Sequence, residues 1–111
     1  YREVRALAAG GDLARLEARL AADPAGAFTE KVLNALGYRA LYGERDVARA
    51  VRLFELATRT FPESGNVWDS LGEALAERGD VAAASASYER SLALAPDNDN
   101  ARRQLARLRA R

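Results

Sequence analysis

A recurrence near 34 residues constrains this chain more than any other feature. Phe54 and Tyr88 stand 34 apart, as do Ala50 and Ala84, Asp46 and Asp80, and Pro62 and Pro96, while Leu36-Gly37 and Leu71-Gly72 stand 35 apart. The repeating unit is two short amphipathic stretches joined by a tight turn, clearest between Asn66 and Pro96. A unit of that size cannot bury its apolar face alone, so copies must stack in series. The expected fold is therefore all-α, a right-handed α-α superhelix of about seven helices. Alternation with period two is nowhere sustained, so no strand is expected.

Helical spacing places Tyr1, Val4, Leu7 and Ala8 on one face, and Gly10-Gly11 breaks that helix. Asp12 is a cap for a second stripe of Leu13, Leu16 and Leu20, which Asp23-Pro24 ends. This hairpin, 1–27, reads as a degenerate repeat or a capping pair. Ala25 to Thr29 reads as a loop with the next helix starting at Phe28 or Thr29. The first repeat follows at 28–63, with Val32, Leu33, Leu36, Ala40 and Leu41 on one helix and Val47, Ala50, Val51, Phe54 and Ala57 on the other.

The second repeat spans 64–97, capped by Ser64 or Asn66 and again by Asp80. A closing helix, 98–111, turns Ala101, Leu105 and Leu108 inward and Arg102, Arg103, Arg107, Arg109 and Arg111 outward. A glycine inside a helix costs about 1 kcal/mol relative to alanine. Gly37 and Gly72 break that rule at equivalent places, which predicts close approach of the partner helix.

The second unit, with Trp68, Leu71, Gly72, Gly79, Asp80, Ala84, Tyr88 and Pro96, resembles a tetratricopeptide repeat. The first is similar, with Leu36, Gly37, Ala50, Phe54, Ala57 and Pro62, but it has Leu33 in place of the aromatic. It also holds one extra residue between Gly37 and Asp46, which predicts a bulge near Tyr42-Gly43-Glu44. The phrases LNALGY, FPESGNVWDSLGEAL and SYERSLALAPDN further resemble the repeat array that follows the catalytic domain in some bacterial serine hydrolases of esterase-like and β-lactamase-like type. That second resemblance implies a neighbouring catalytic domain.

Composition narrows the function classes. A chain 49% hydrophobic but only 7% aromatic suits thin, closely packed helices rather than a thick sheet core. Net charge is +1, which leaves no global field to gather nucleic acid or an anionic membrane. The arginine-rich last helix lacks the interleaved aromatics of a nucleic-acid surface. No apolar run approaches the roughly 18 residues of a membrane span. Cysteine is absent, which removes disulfides and thiolate metal sites. The start at Tyr1 and the absence of Met read as a piece of a longer protein.

Catalysis is not expected. There is no His and no Cys, Lys31 is the single lysine, and Ser64, Ser70, Ser85, Ser87 and Ser91 have no imidazole to activate them. Asp97, Asn98, Asp99 and Asn100 look like a calcium loop but lack its glycine and closing glutamate, so a helix cap is the better reading. No cofactor or metal is expected.

The first helix of each unit lines the concave side of such a stack. On that helix of the second repeat, Asp69, Glu73 and Glu77 share one face, and the first repeat offers Asn34, Tyr38 and Tyr42 beside them. The bland alternative is solvation or pairing with nearby arginines such as Arg78. A groove with a tyrosine end and an acidic end suits a basic extended segment. The resembled family's best-known device is a clamp of Lys, Asn and Arg on a terminal carboxylate. Here Asn34, Tyr38, Asp69, Ser70 and Glu73 stand at those places, and they would repel a carboxylate.

The expected function is a non-enzymatic interaction module for a peptide or neighbouring domain. The alternative is a structural or oligomerising domain beside a hydrolase-like catalytic domain, with no external ligand. On this reading Leu71→Ala costs about 2–5 kcal/mol of folding stability and Asp69→Ala does little to folding.

Overall fold

The computed structural model describes residues 27–110. Helix α1 (Ala27–Tyr38) runs straight into a π-helical turn, Arg39–Gly43, before α2 (Val47–Thr60), α3 (Gly65–Arg78), α4 (Val81–Leu94) and α5 (Asp99–Arg109). Each helix packs on the next, and α1 also touches α3. The α1–α2 hairpin therefore stacks on the α3–α4 hairpin, and α5 adds the first half of another.

The described residues hold five helices rather than seven and no strand. The other two were expected between Tyr1 and Asp23, outside the described residues. Helix α1 begins at Ala27, so the expected loop from Ala25 to Thr29 is cut short by helix.

Caps set most of the helix starts. Asp46 accepts from the Arg49 N–H at 3.0 Å, Asp80 from the Ala83 N–H at 3.2 Å and Asn98 from the Ala101 N–H at 3.2 Å. Each satisfies a backbone donor that the first helical turn leaves free. Ser64 precedes α3 without capping it; its hydroxyl instead donates to Glu30 at 2.5 Å. Asn66 lies inside α3.

The core runs unbroken through both hairpins. Leu33, Leu53, Phe54, Leu56, Val67 and Tyr88 are all enclosed. The two mid-helix glycines sit against aromatic rings. A Cβ on Gly37 would fall 2.3–2.8 Å from the Phe54 ring, and one on Gly72 would fall 3.0 Å from the Tyr88 ring. Small residues let the second helix of each hairpin lay its aromatic directly on the backbone of the first. The 34-residue pairing of Phe54 with Tyr88 and the 35-residue pairing of Gly37 with Gly72 thus mark one packing unit built twice.

The turns between the paired helices differ. Helix α3 ends at Gly79, whose φ of 89° is left-handed. The Gly79 N–H donates to the Ala76 carbonyl and the Asp80 N–H to the Leu75 carbonyl, each at 3.0 Å. This is the paired closure typical of a glycine helix end. In the first hairpin the Asp46 N–H reaches back to Ala40 at 2.8 Å, one residue further along the chain. The extra residue is absorbed as the π-helical turn, slightly earlier than Tyr42-Gly43-Glu44. Arg45, at the place of Gly79, takes φ 58°.

Candidate functional site

Helices α1, α3 and α5 stand side by side on one wall, and hydrogen bonds join them. Ser70 donates to the Asn34 side-chain carbonyl at 2.5 Å, and Tyr38 donates to Glu73 at 3.0 Å. Tyr42 donates to the other Glu73 oxygen. On the far side of α3, Asp69 accepts from Asn98 at 2.8 Å and from Asn100 at 3.0 Å. The wall is a seam between neighbouring first helices, carried by polar side chains.

The π-helical turn positions Tyr42. By inserting one residue after α1 it swings this ring over α3, where it stacks on Tyr38 with centroids 6.2 Å apart and planes 6° from parallel. Tyr38 in turn meets the edge of Phe54 at 5.1 Å. Tyr42 is 51% exposed, the exposed large hydrophobic among the described residues. It is therefore held at both ends, by stacking and by Glu73, while one face remains open.

Burial pushes the Tyr38 phenol up to about 12, and the charge of Glu73 adds to the rise. Tyr42 is raised as well, by desolvation of its hydroxyl, by its bond to Glu73 and by the charges of Glu73 and Glu77. Tyr88 is raised mainly by burial. All three phenols remain neutral near neutral pH, and Tyr38 and Tyr42 are the ones that donate to Glu73.

A cavity of about 340 Å³ opens between α3 and α5. Tyr42, Glu73 and Glu77 line one side, Asn100, Gln104 and Arg107 the other, with Tyr88 also in its lining. Of the six residues expected in the groove, Tyr42, Glu73 and Glu77 reach this cavity. Asn34, Tyr38 and Asp69 do not line it.

Asp69 is not a free carboxylate awaiting a ligand. Its oxygens accept from the two asparagines, so its removal is now expected to loosen α5. The proposed pairing of these acids with Arg78 also fails, because Arg78 bonds Asp80 at 3.3 Å. Glu77 is exposed and carries no hydrogen bond or ion pair among the described residues.

Sequence reasoning missed the α5 side of the cavity. From sequence alone Asn98 and Asn100 read as caps and Arg107 as solvated surface. Asn98 is a cap and a seam residue together. The signal was present, because carrying the 34-residue period one step further sets Arg103 opposite Asp69 and Arg107 opposite Glu73. At one wall position the three first helices carry Tyr38, Glu73 and Arg107, so the wall changes sign across its width.

The remaining expected residues belong to the packing. Leu71 and Ala84 are buried, Leu36 is partly buried, and Pro96 follows α4. Trp68 is half-buried, donates its indole N–H to the Pro62 carbonyl at 2.9 Å and lies under Arg90 at 5.9 Å. Ser91 is enclosed and donates to the Gly65 carbonyl at 2.8 Å. Among the described residues no group of His, Cys, Asp or Glu is arranged to hold a metal ion. No described helix is long and apolar enough to cross a membrane.

Residues 65–108 match the family model described as tetratricopeptide repeat. The chain is also similar to a solved structure of a mutant of MamA, at 24% identity and a TM-score of 0.64, over 96% of this chain and 78% of that one. That likeness bears on fold alone. No curated protein matches the chain. The matched residues span the α3–α4 hairpin and α5.

Proposed function

We propose that this tetratricopeptide repeat domain is a non-enzymatic interaction module that holds a protein segment against the wall formed by α1, α3 and α5. Residues 28–63 and 64–97 serve as its two repeats, with α5 packed against the second. The observation that carries the reading is the open face of Tyr42. A half-exposed aromatic fixed by stacking and by a bond to Glu73 presents contact area without losing side-chain freedom on binding. The unpartnered Glu77 beside it suits a basic segment.

The alternative, a domain that only docks or oligomerises, calls for a broad apolar surface. Among the described residues Tyr42 alone is a large exposed hydrophobic, which supports the groove reading over it. The hydrolase-like neighbour suggested by the sequence phrases would then be one candidate source of the bound segment.

The test is a random peptide library displayed against the immobilised chain. Selected peptides should bind the wild-type chain and weaken on Tyr42→Ala. A library that yields no binder, or binders indifferent to Tyr42, would end this reading. Light scattering over a range of concentration should find a monomer throughout. Growth in mass with concentration would favour the oligomerising alternative.

A further inference from the structure

We infer that the cavity between α3 and α5 reads an arginine together with an acidic residue a short distance along the same bound segment, a deepening that rests on the interaction-module reading above. The cation side is built from Tyr42, Glu73 and Glu77. A guanidinium laid on the open face of Tyr42 gains a cation–π contact, and its fork of donors can reach a carboxylate beside the ring. Glu73 already accepts from Tyr38 and Tyr42, so its oxygens are engaged. Glu77 is the carboxylate left to pair. A flat guanidinium fits between ring and carboxylate better than an ammonium, which neither stacks nor forks.

The opposite lining decides what else the segment carries. Arg107 faces the same cavity from α5 and has no ion-pair partner among the described residues. It forms no pair with Glu77 or Glu73 either, since the ion pairs of the described residues on α5 are Arg102 with Asp99 and Arg109 with Glu89. Two opposite charges thus face one cavity without neutralising each other. A uniformly basic segment would meet Arg107 at a cost, and a uniformly acidic one would meet Glu77. A segment with both signs satisfies both sides.

The spacing follows from helix packing. Neighbouring helix axes lie about 8–10 Å apart, and an extended chain advances about 3.3 Å per residue, so arginine and acid should sit roughly three residues apart. This is narrower than the generally basic ligand expected from the acidic residues alone. It emerges only when the 34-residue period is carried past the second repeat to Arg107.

The experiment sequences the peptides selected on the immobilised 111-residue chain and repeats the selection on Glu77→Arg and Arg107→Glu. The expected result is enrichment of arginine with Asp or Glu two to four residues away. Glu77→Arg should abolish the arginine preference, and Arg107→Glu should abolish the acidic one. A peptide carrying both charges should weaken about two- to fivefold on either change, a size typical of a partly exposed charge pair. Both side chains are exposed, and circular dichroism should find the variants folded.

Binders that depend on Tyr42 but show no arginine, or accept lysine equally, would overturn the inference and leave the module reading standing. Polybasic binders unaffected by Arg107→Glu would overturn it as well. Absence of any binder sinks both.

Discussion

The two helix–helix turns occupy equivalent places and solve the same problem differently. In the second repeat Gly79 supplies a left-handed residue at no steric cost, and backbone bonds close the helix compactly. In the first, one more residue must fit between Gly37 and Asp46. The chain takes it up as a π-helical turn and forces Arg45 into the left-handed region. The helices on either side keep their phase, because Phe54 still meets Gly37 as Tyr88 meets Gly72. A repeat therefore tolerates an irregular turn when the glycine-on-aromatic contact fixes the helix pair independently. The irregularity shows on the surface, where it delivers Tyr42 to the wall.

Truncating the core tests that comparison most severely. Leu71→Ala should cost about 2–5 kcal/mol by denaturant unfolding, because Leu71 is only 6% exposed. Its counterpart Leu36 is partly buried, so Leu36→Ala should cost less. The opposite ranking would mean that the irregular repeat is the better packed one. Filling the glycines comes next. Gly37→Ala should destabilise by about 1–3 kcal/mol, since overpacking against an enclosed ring exceeds the gain in helix preference. Gly72→Ala leaves its ring a shorter distance to yield and should stay within about 1 kcal/mol of wild type. Equal effects would show that the two contacts are equally tight.

The seams between first helices give a smaller difference. Asp69→Ala removes the acceptor for Asn98 and Asn100 and should cost about 1–2 kcal/mol, as charged hydrogen bonds in partly wet surroundings do. Hydrogen exchange should locate the loosening in α5. Asn34→Ala, which removes one neutral partner of Ser70, should cost less, and a larger loss there would reverse the order of the two seams. Arg45→Gly should stabilise by roughly 1 kcal/mol by relieving a left-handed side chain, and Gly79→Arg should destabilise by a similar amount. No gain at Arg45 would mean that its conformation is unstrained.

The smallest effect is on pH. The folded value of Tyr38, about 12, lies above the ordinary 10, so between those values the folded state binds more protons than the unfolded one. This contribution is fully present below pH 10 and is lost as pH rises toward 12. Tyr38→Phe should flatten that part of the decline in denaturant midpoint, and an unchanged slope would remove Tyr38 as its source.

Much of the fold was legible because it rests on spacing. Gly37, Gly72, Phe54 and Tyr88 announce their contacts through the period, and Asp46 and Asp80 announce the caps. The wall was less legible. Asp69, Glu73 and Glu77 look alike in sequence, three carboxylates four residues apart on one helix. Packing assigns them different surroundings, with two asparagines around the first, two tyrosines around the second and solvent around the third. Those partners come from α1, the π-helical turn after it and the start of α5, at sequence distances that a helix-face argument does not see. Arg107 is obscure for the opposite reason, since the period does reach it but the apolar stripe of α5 lies on the other face and dominates the pattern.

The π-helical turn has a consequence for how such arrays diversify. A single-codon insertion there changes which atoms greet the outside while the interior lattice stays in step. Length variation, ordinarily disruptive inside a helix, becomes a means of re-aiming one side chain. The altered surface meets the next unit through the bond from Tyr42 to Glu73, and the interior packing of that unit needs no compensating change.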